Sequence, residues 1–131
     1  MSLTTSDVVE VAEFREALRR FLRQSERVAR RAGLTPQRHL LLLMIKGARD
    51  GSEQSTVTEL ADRLQLAQST VTELVSRAEE VGLVAREQSQ SDARVALLRL
   101  TDQGEQRLAQ SFTGLADERE QLRDAFAQLE D

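Results

Sequence analysis

Between residues 11 and 32 the apolar positions alternate steps of three and four: Val11, Phe14, Leu18 and Phe21, then Ser25, Val28 and Ala32. This spacing predicts a helix over about residues 7–32 with a heptad-like seam along one face. Ser6 is its expected N-cap, and Gly33 the left-handed residue that closes it. A second helix opens at once, with Thr35 as N-cap and Pro36 at the first helical position, where a missing N–H costs nothing. It carries the apolar run 40–45 and stops at Gly47, ahead of a polar loop over residues 52–55.

Thr56, followed three residues on by Glu59, matches a capping box, and the helix it opens turns Val57, Leu60, Ala61 and Leu64 inward. After a break near residues 65–67, a second short helix is predicted over about 68–81. Its inward face is Val71, Leu74, Val75 and Ala78, the i, i+3, i+4, i+7 pattern, which leaves Gln68, Ser69, Thr72, Glu73 and Ser76 outward. Gly82 ends it. Residues 83–86 and 95–100 then read as two short strands around a polar tip over 87–94. Thr101 caps a last helical region whose seam, Leu108, Phe112, Leu115, Leu122, Phe126 and Leu129, is interrupted only by Arg119. A seam this regular predicts one long helix or two nearly collinear ones, with Gly114 able to bend.

Two short helices with a tight turn, a hairpin and a new helix form the ground plan of a winged helix-turn-helix. The expected fold class is therefore mainly α with a small β-wing, flanked by N- and C-terminal helices. At 131 residues the chain is expected to form one domain. Its longest apolar run, residues 40–45, is far short of the ~20 residues of a membrane span. Met1 leads into a short polar stretch without a basic and then apolar leader pattern, so a cytoplasmic location is expected. The absence of cysteine removes disulfides, thiol redox sensing and cysteine-bound zinc. His39 is the only histidine, so a histidine metal cluster cannot form within one chain. No metal and no cofactor are expected.

Charge is distributed more tellingly than the net of −4 suggests. Residues 15–31 carry seven arginines against Glu16 and Glu26, whereas residues 102–131 carry eight acids against Arg107, Arg119 and Arg123. The block between them, 34–101, is almost neutral, with eight basic and nine acidic residues. A basic and an acidic helical region, each with an apolar seam, are complementary partners. Neither can bury its seam alone in so short a chain, so interleaving with a second copy is expected.

The outward Gln, Ser and Thr residues of the second short helix suit base edges in a major groove, although any surface helix is polar on its outer face. Arg94 on the projecting tip suits a narrow, electronegative minor groove, with Asp92 placed to pair with it and shape the turn. No Ser/His/Asp or Cys/His set, paired catalytic carboxylates or Gly-rich phosphate loop is present, so an enzyme is not expected.

In order and spacing the chain resembles the MarR family of bacterial transcriptional regulators. The matching pieces begin with residues 34–38, Leu-Thr-Pro-Gln-Arg, and 59–64, Glu-Leu-Ala-Asp-Arg-Leu. They continue with 69–79, Ser-Thr-Val-Thr-Glu-Leu-Val-Ser-Arg-Ala-Glu, and 82–86, Gly-Leu-Val-Ala-Arg. Asp92, Ala93 and Arg94 then lead into 100–104, Leu-Thr-Asp-Gln-Gly. The resemblance implies a homodimeric, sequence-specific regulator of double-stranded DNA, usually a repressor, often released from its operator by a small organic effector. It divides the chain into an N-terminal dimerisation helix (1–33), a DNA-binding lobe (34–101) and one or two C-terminal dimerisation helices (102–131). By the same resemblance Gln68, Ser69, Thr70, Thr72 and Ser76 fall on the recognition helix. Arg77 and Arg86 are then candidates for backbone contacts or lobe-stabilising ion pairs, and Arg94 is the wing arginine, supported by Asp92. His39, with Arg15, Leu18 and Arg38, is the expected lining of a family-type effector pocket.

Two residues depart from that pattern. Ala67 stands where a capping Ser or Asp is expected, and Glu73 faces the DNA side, where its charge repels phosphate unless it accepts from cytosine N4 or pairs with Arg77. With the neutral lobe, they keep a rival reading in play: a winged-helix module that binds a protein partner, as a decoy or co-regulator, with little DNA binding.

Overall fold

The computed structural model of the chain describes residues 2–130. Six helices and one hairpin follow in order: α1 (Thr5–Arg31), α2 (Pro36–Lys46), α3 (Val57–Leu64), α4 (Gln68–Glu80), β1 (Val84–Gln88), β2 (Ala96–Leu100), α5 (Asp102–Phe112) and α6 (Ala116–Glu130). The winged helix-turn-helix expected from the pattern is thus present, mainly α with a two-stranded antiparallel sheet. No helix among the described residues is long and apolar enough to cross a membrane.

α2 is the hub. Its Leu41, Leu42 and Ile45 are fully buried and join Leu60 of α3, Val71 and Val75 of α4 and Leu98 of β2 in one core. Thr35 and Pro36 start α2 as the sequence indicates, the Thr35 hydroxyl accepting from Arg38 N–H at 3.2 Å. Thr56 and Glu59 form the capping box of α3 in both directions, at 3.1 Å each. Ser55, just before it, exchanges two backbone hydrogen bonds with Leu98 (3.1 and 2.8 Å), so the start of α3 is pinned to the wing strand β2.

Three boundaries differ from the sequence reading, each for a local reason. α1 is capped by Thr4, not Ser6, because Thr4 has Asp7 at the third helical position. The Asp7 N–H donates to the Thr4 hydroxyl at 3.1 Å and the Asp7 carboxylate accepts from Thr4 N–H at 3.4 Å. Ser6 has only Val9 at that position, which cannot return a bond. Leu83 belongs to the end of α4 rather than to β1: with Gly82 left-handed at φ 77°, Leu83 N–H reaches back to Ala78 O at 2.9 Å. The hairpin extends instead toward its tip, where Glu87 and Gln88 pair with Leu97 and Ala96 and Arg99 bridges to Glu87 at 2.6 Å.

The C-terminal seam is two helices. α5 ends at Phe112, and α6 restarts at Ala116 after Gly114 passes Val28 so closely that an added Cβ would lie 2.8 Å from Val28 Cγ2. Gly104 is needed for a similar reason, since a Cβ there would meet the carbonyl oxygen of Leu83. α6 runs back antiparallel along α1: Gly114 lies at Val28, while Phe126 meets Phe14 edge-on with ring centres 5.9 Å apart. The two seams, expected to interleave with a second copy, therefore first meet each other within the chain.

That pairing leaves both helices underburied. Val28 and Ala29 are the only buried residues of α1, and no described residue of α6 is buried. Val11 is 54% exposed and Phe126 55% exposed, although both occupy seam positions. The charges are not matched within the chain either. Among the described residues, the one ion pair made by an arginine of α1 is Arg20 to Glu16 at 2.7 Å, inside α1 itself.

Candidate nucleic-acid interface

α3 ends when Gln65 turns left-handed (φ 56°), and Leu66 N–H bonds back to Ala61 O at 3.1 Å. α4 then starts at Gln68 from Ala67, whose side chain gives no cap, as its type dictates. One substitute is a hydrogen bond from the Gln68 amide to the Thr58 hydroxyl at 3.3 Å, which ties the first residue of α4 to α3. Val71, Val75 and Ala78 are buried without residual exposure and fix the rotation of α4. In consequence Gln68, Ser69, Thr70, Thr72, Ser76 and Arg77 are all exposed, together with Glu73. The six residues assigned to this helix from sequence thus share one solvent-facing stretch.

Each arginine of this part of the lobe has a carboxylate of its own. Arg77 binds Glu73 one turn back at 2.6 Å. Arg86 on β1 reaches Glu79 on α4 at 2.7 Å, a bond that raises the guanidinium pKa further and locks the hairpin to the helix. Arg94 projects from the tip with its side chain 91% exposed. Asp92 accepts from Arg94 N–H at 3.0 Å and from its Nε at 3.3 Å, so Asp92 shapes the turn that presents Arg94. The Asp92 carbonyl also accepts from Val95 N–H at 3.0 Å, closing the loop.

Two cationic residues that sequence reasoning passed over hold the lobe together. Arg63 donates to the carbonyls of Met44 (3.2 Å) and Gly47 (2.9 Å), satisfying the open end of α2. Lys46, the only lysine in the chain, bridges Glu105 of α5 at 2.8 Å and Glu53 of the loop between α2 and α3 at 2.7 Å. The Glu105 bond is the larger cause of a raised ammonium pKa. Neither role is readable from spacing, because Arg63 reaches back 16 and 19 residues to the end of α2 and Lys46 joins Glu105, 59 residues on.

A cleft of about 320 Å³ lies between α1, α2 and the α5–α6 junction. Its wall is apolar, from Phe21, Leu22, Pro36, Leu40, Leu43, Phe112 and Leu115, with Ser25, Glu26, His39 and Arg119 as polar members. Of Arg15, Leu18, Arg38 and His39, the residues expected to line an effector pocket, His39 lies in the wall of this cleft. Arg15 and Leu18 lie on α1 before the segment that lines the cleft, and Arg38 is not part of its wall. Arg119, the charged residue inside an otherwise apolar seam, is the signal that could have found the site; its guanidinium lies 5.1 Å from the centre of the Phe112 ring. His39 is 4% exposed and meets the Ser111 hydroxyl at 3.0 Å. That hydroxyl donates its one proton to Leu108 O at 2.6 Å, so Nε2 of His39 is the donor in the His39–Ser111 bond. Burial lowers the pKa of His39. No group of three or more His, Cys, Asp and Glu that could hold a metal ion occurs among the described residues.

With this geometry in hand, the likeness to known proteins is informative. A model of the MarR family matches residues 32–95, from the end of α1 through the wing tip. The structure of Sco3205, a MarR family transcriptional regulator from Streptomyces coelicolor in complex with DNA, is 27% identical with a TM-score of 0.69. The match covers 95% of this chain and 78% of that one. Transcriptional regulator Tm0710 from Thermotoga maritima is 27% identical with a TM-score of 0.67, over 84% of this chain and 75% of that one. A mutant MarR from E. coli complexed with operator DNA shares the fold at a TM-score of 0.71 and 20% identity, over 99% of this chain and 94% of that one. No curated protein sequence matches the chain. Residues 32–95 thus carry the sequence pattern of the MarR family, and nearly the whole chain has the fold of MarR family transcriptional regulators.

Proposed function

We propose that this protein is a homodimeric transcriptional repressor that reads a pseudo-palindromic operator with α4 and the wing. A small organic ligand, seated in the cleft between α1, α2 and the α5–α6 junction, releases it. The observation that carries the reading is the exposed polar face of α4 beside an Arg94 held out on the wing by Asp92. Gln68, Ser69, Thr70, Thr72 and Ser76 then face base edges, Arg77 and Arg86 flank the backbone, and Arg94 enters the minor groove. Two recognition helices set roughly 34–36 Å apart meet successive major grooves on one face of the duplex.

The case for a second copy rests on α1 and α6. They leave an apolar strip exposed after pairing with each other, and the arginines of α1 and the acids of α6 make no ion pair with one another among the described residues. Residues 1–33 and 102–131 are accordingly the dimerisation helices, and 34–101 the reading lobe. The cleft supports an effector because it is mostly apolar with few polar groups and joins the lobe to those helices.

Arg94→Ala is the decisive test. In a mobility-shift titration with operator duplex, the variant is expected to lose at least tenfold in affinity with its oligomeric state unchanged, and the log–log salt slope to fall by about one unit per copy. Unchanged affinity refutes the wing assignment. One observation favours the rival protein-binding module, namely that Arg77, Arg86 and Arg94 are each met by a carboxylate. Titration against random duplex at low salt separates the two, since a protein-binding module gives no shift even at high concentration.

A further inference from the structure

The centre of the exposed face of α4 is occupied by an acid. At about 100° per residue, the direction opposite buried Val71, Val75 and Ala78 falls on Glu73 in the N-terminal half, with Ser69 and Ser76 beside it, and on Glu80 at the far end. Glu73 is the sixth residue of α4, within the N-terminal half that a helix-turn-helix inserts into the groove. Its side chain is 64% exposed, and one oxygen is held by Arg77 at 2.6 Å. The second oxygen has no partner among the described residues. Glu79, by contrast, is turned aside to Arg86.

We propose that Glu73 is a specificity-determining residue that selects cytosine in each operator half-site, with Arg77 as its positioning residue. The inference rests on the DNA-binding reading above and deepens it. An ionised carboxylate only accepts hydrogen bonds, so it is repelled by the acceptor edges of guanine (N7, O6) and thymine (O4). Adenine offers its N6 amino group, but with N7 acceptor beside it, against which the second carboxylate oxygen would press. Cytosine N4–H has an acceptor on one side only, O6 of the paired guanine, and the non-accepting C5–H on the other, whereas adenine N6–H lies between N7 and thymine O4. Arg77 offsets the cost of bringing a negative charge among phosphates and fixes the carboxylate one turn from its own Cα. The rest of its guanidinium fork faces solvent, free to donate to a neighbouring phosphate or guanine.

Selection of binding sites from a randomised duplex pool, run in parallel with the full-length protein and with Glu73→Gln and Glu73→Ala, tests this. Glu73 is exposed, so the variants are expected to fold and associate like the parent, which thermal melting and light scattering check. The parent is expected to enrich a C·G pair at one fixed position of each half-site. Glu73→Gln is expected to switch that position to A·T, since a glutamine amide pairs with adenine N6 and N7, and Glu73→Ala to lose preference there, all other positions being kept. Titration on the two selected duplexes should show a preference of about tenfold or more reversing between parent and Glu73→Gln. Identical preferences in all three proteins overturn the role of Glu73 while leaving the DNA-binding reading intact. A parent that enriches no sequence overturns that reading itself.

Discussion

His39 offers an unusually clean thermodynamic test, because it is the only histidine in the chain. It is 4% exposed, bonded through Nε2 to Ser111, and burial lowers its pKa from the ordinary 6.5. In the folded state it therefore stays neutral at a pH where the unfolded chain has already taken up a proton. The unfolded state binds more protons, so stability rises with pH across this window and falls as pH drops below about 6.5. The slope approaches about 1.4 kcal/mol per pH unit per copy, and the loss at about pH 5.5 is at most about 1.4 kcal/mol. It levels off once pH falls below the folded-state pKa. Asp50 has a lowered pKa and titrates below this window, whereas Lys46 and Arg86 are raised and titrate far above it. The assay is urea denaturation at fixed protein concentration between about pH 5 and pH 8, with His39→Gln as the control. Glutamine can keep a donor toward Ser111 but does not titrate, so its profile should be flat between about pH 5.5 and 7. A flat profile in the parent, or the same slope in both proteins, refutes the buried neutral histidine.

Two further outcomes follow from local structure. Ala67 already has N-cap backbone geometry (φ −65°, ψ 148°) but no side-chain acceptor, so Ala67→Ser should stabilise the chain by about 0.5–2 kcal/mol in the same denaturation assay; a neutral or negative effect counts against the uncapped start of α4. Phe126→Asp places a charge on the exposed strip left by α1 and α6, and light scattering should then report a lower mass than for the parent at equal concentration; an unchanged mass removes this strip from the subunit interface.

Local chemistry made much of the fold legible. Thr56 with Glu59, Thr35 with Pro36, and the uncapped Ala67 all act as their side chains dictate, because a cap depends on three or four neighbouring residues only. The exposed face of α4 was equally readable, since the burial of Val71, Val75 and Ala78 fixes it. What escaped depends on relations between elements. The fold-back of α6 onto α1 turns on Gly114 meeting Val28, about which a heptad seam says nothing, since it continues in phase across the break. The cleft itself was not legible either: Phe21, Leu22, Leu43, Phe112 and Leu115 come together from separate helices, and Arg15, Leu18 and Arg38 are not in its wall. Arg77 with Glu73 was visible as an i, i+4 pair, whereas Arg86 with Glu79 joins a strand to a helix across a turn.

The pairing of four arginines on α4 and the wing with carboxylates bears on how that face of the lobe would meet a polyanion at a distance. An arginine bound to its own acid presents a dipole rather than a net charge, and the field of a dipole dies away faster than that of a charge. Arg77, Arg86, Arg94 and Arg99 are all of this kind. Such a surface gains little from long-range steering, so encounters should proceed near the unsteered rate of about 10⁵–10⁶ M⁻¹s⁻¹. On the proposed function, the full cationic charge is expected to come into play only at contact, when a phosphate displaces Asp92 from Arg94 or Glu79 from Arg86. A DNA-binding lobe built this way is expected to be captured slowly by arbitrary DNA and to gain its electrostatic grip late, after alignment.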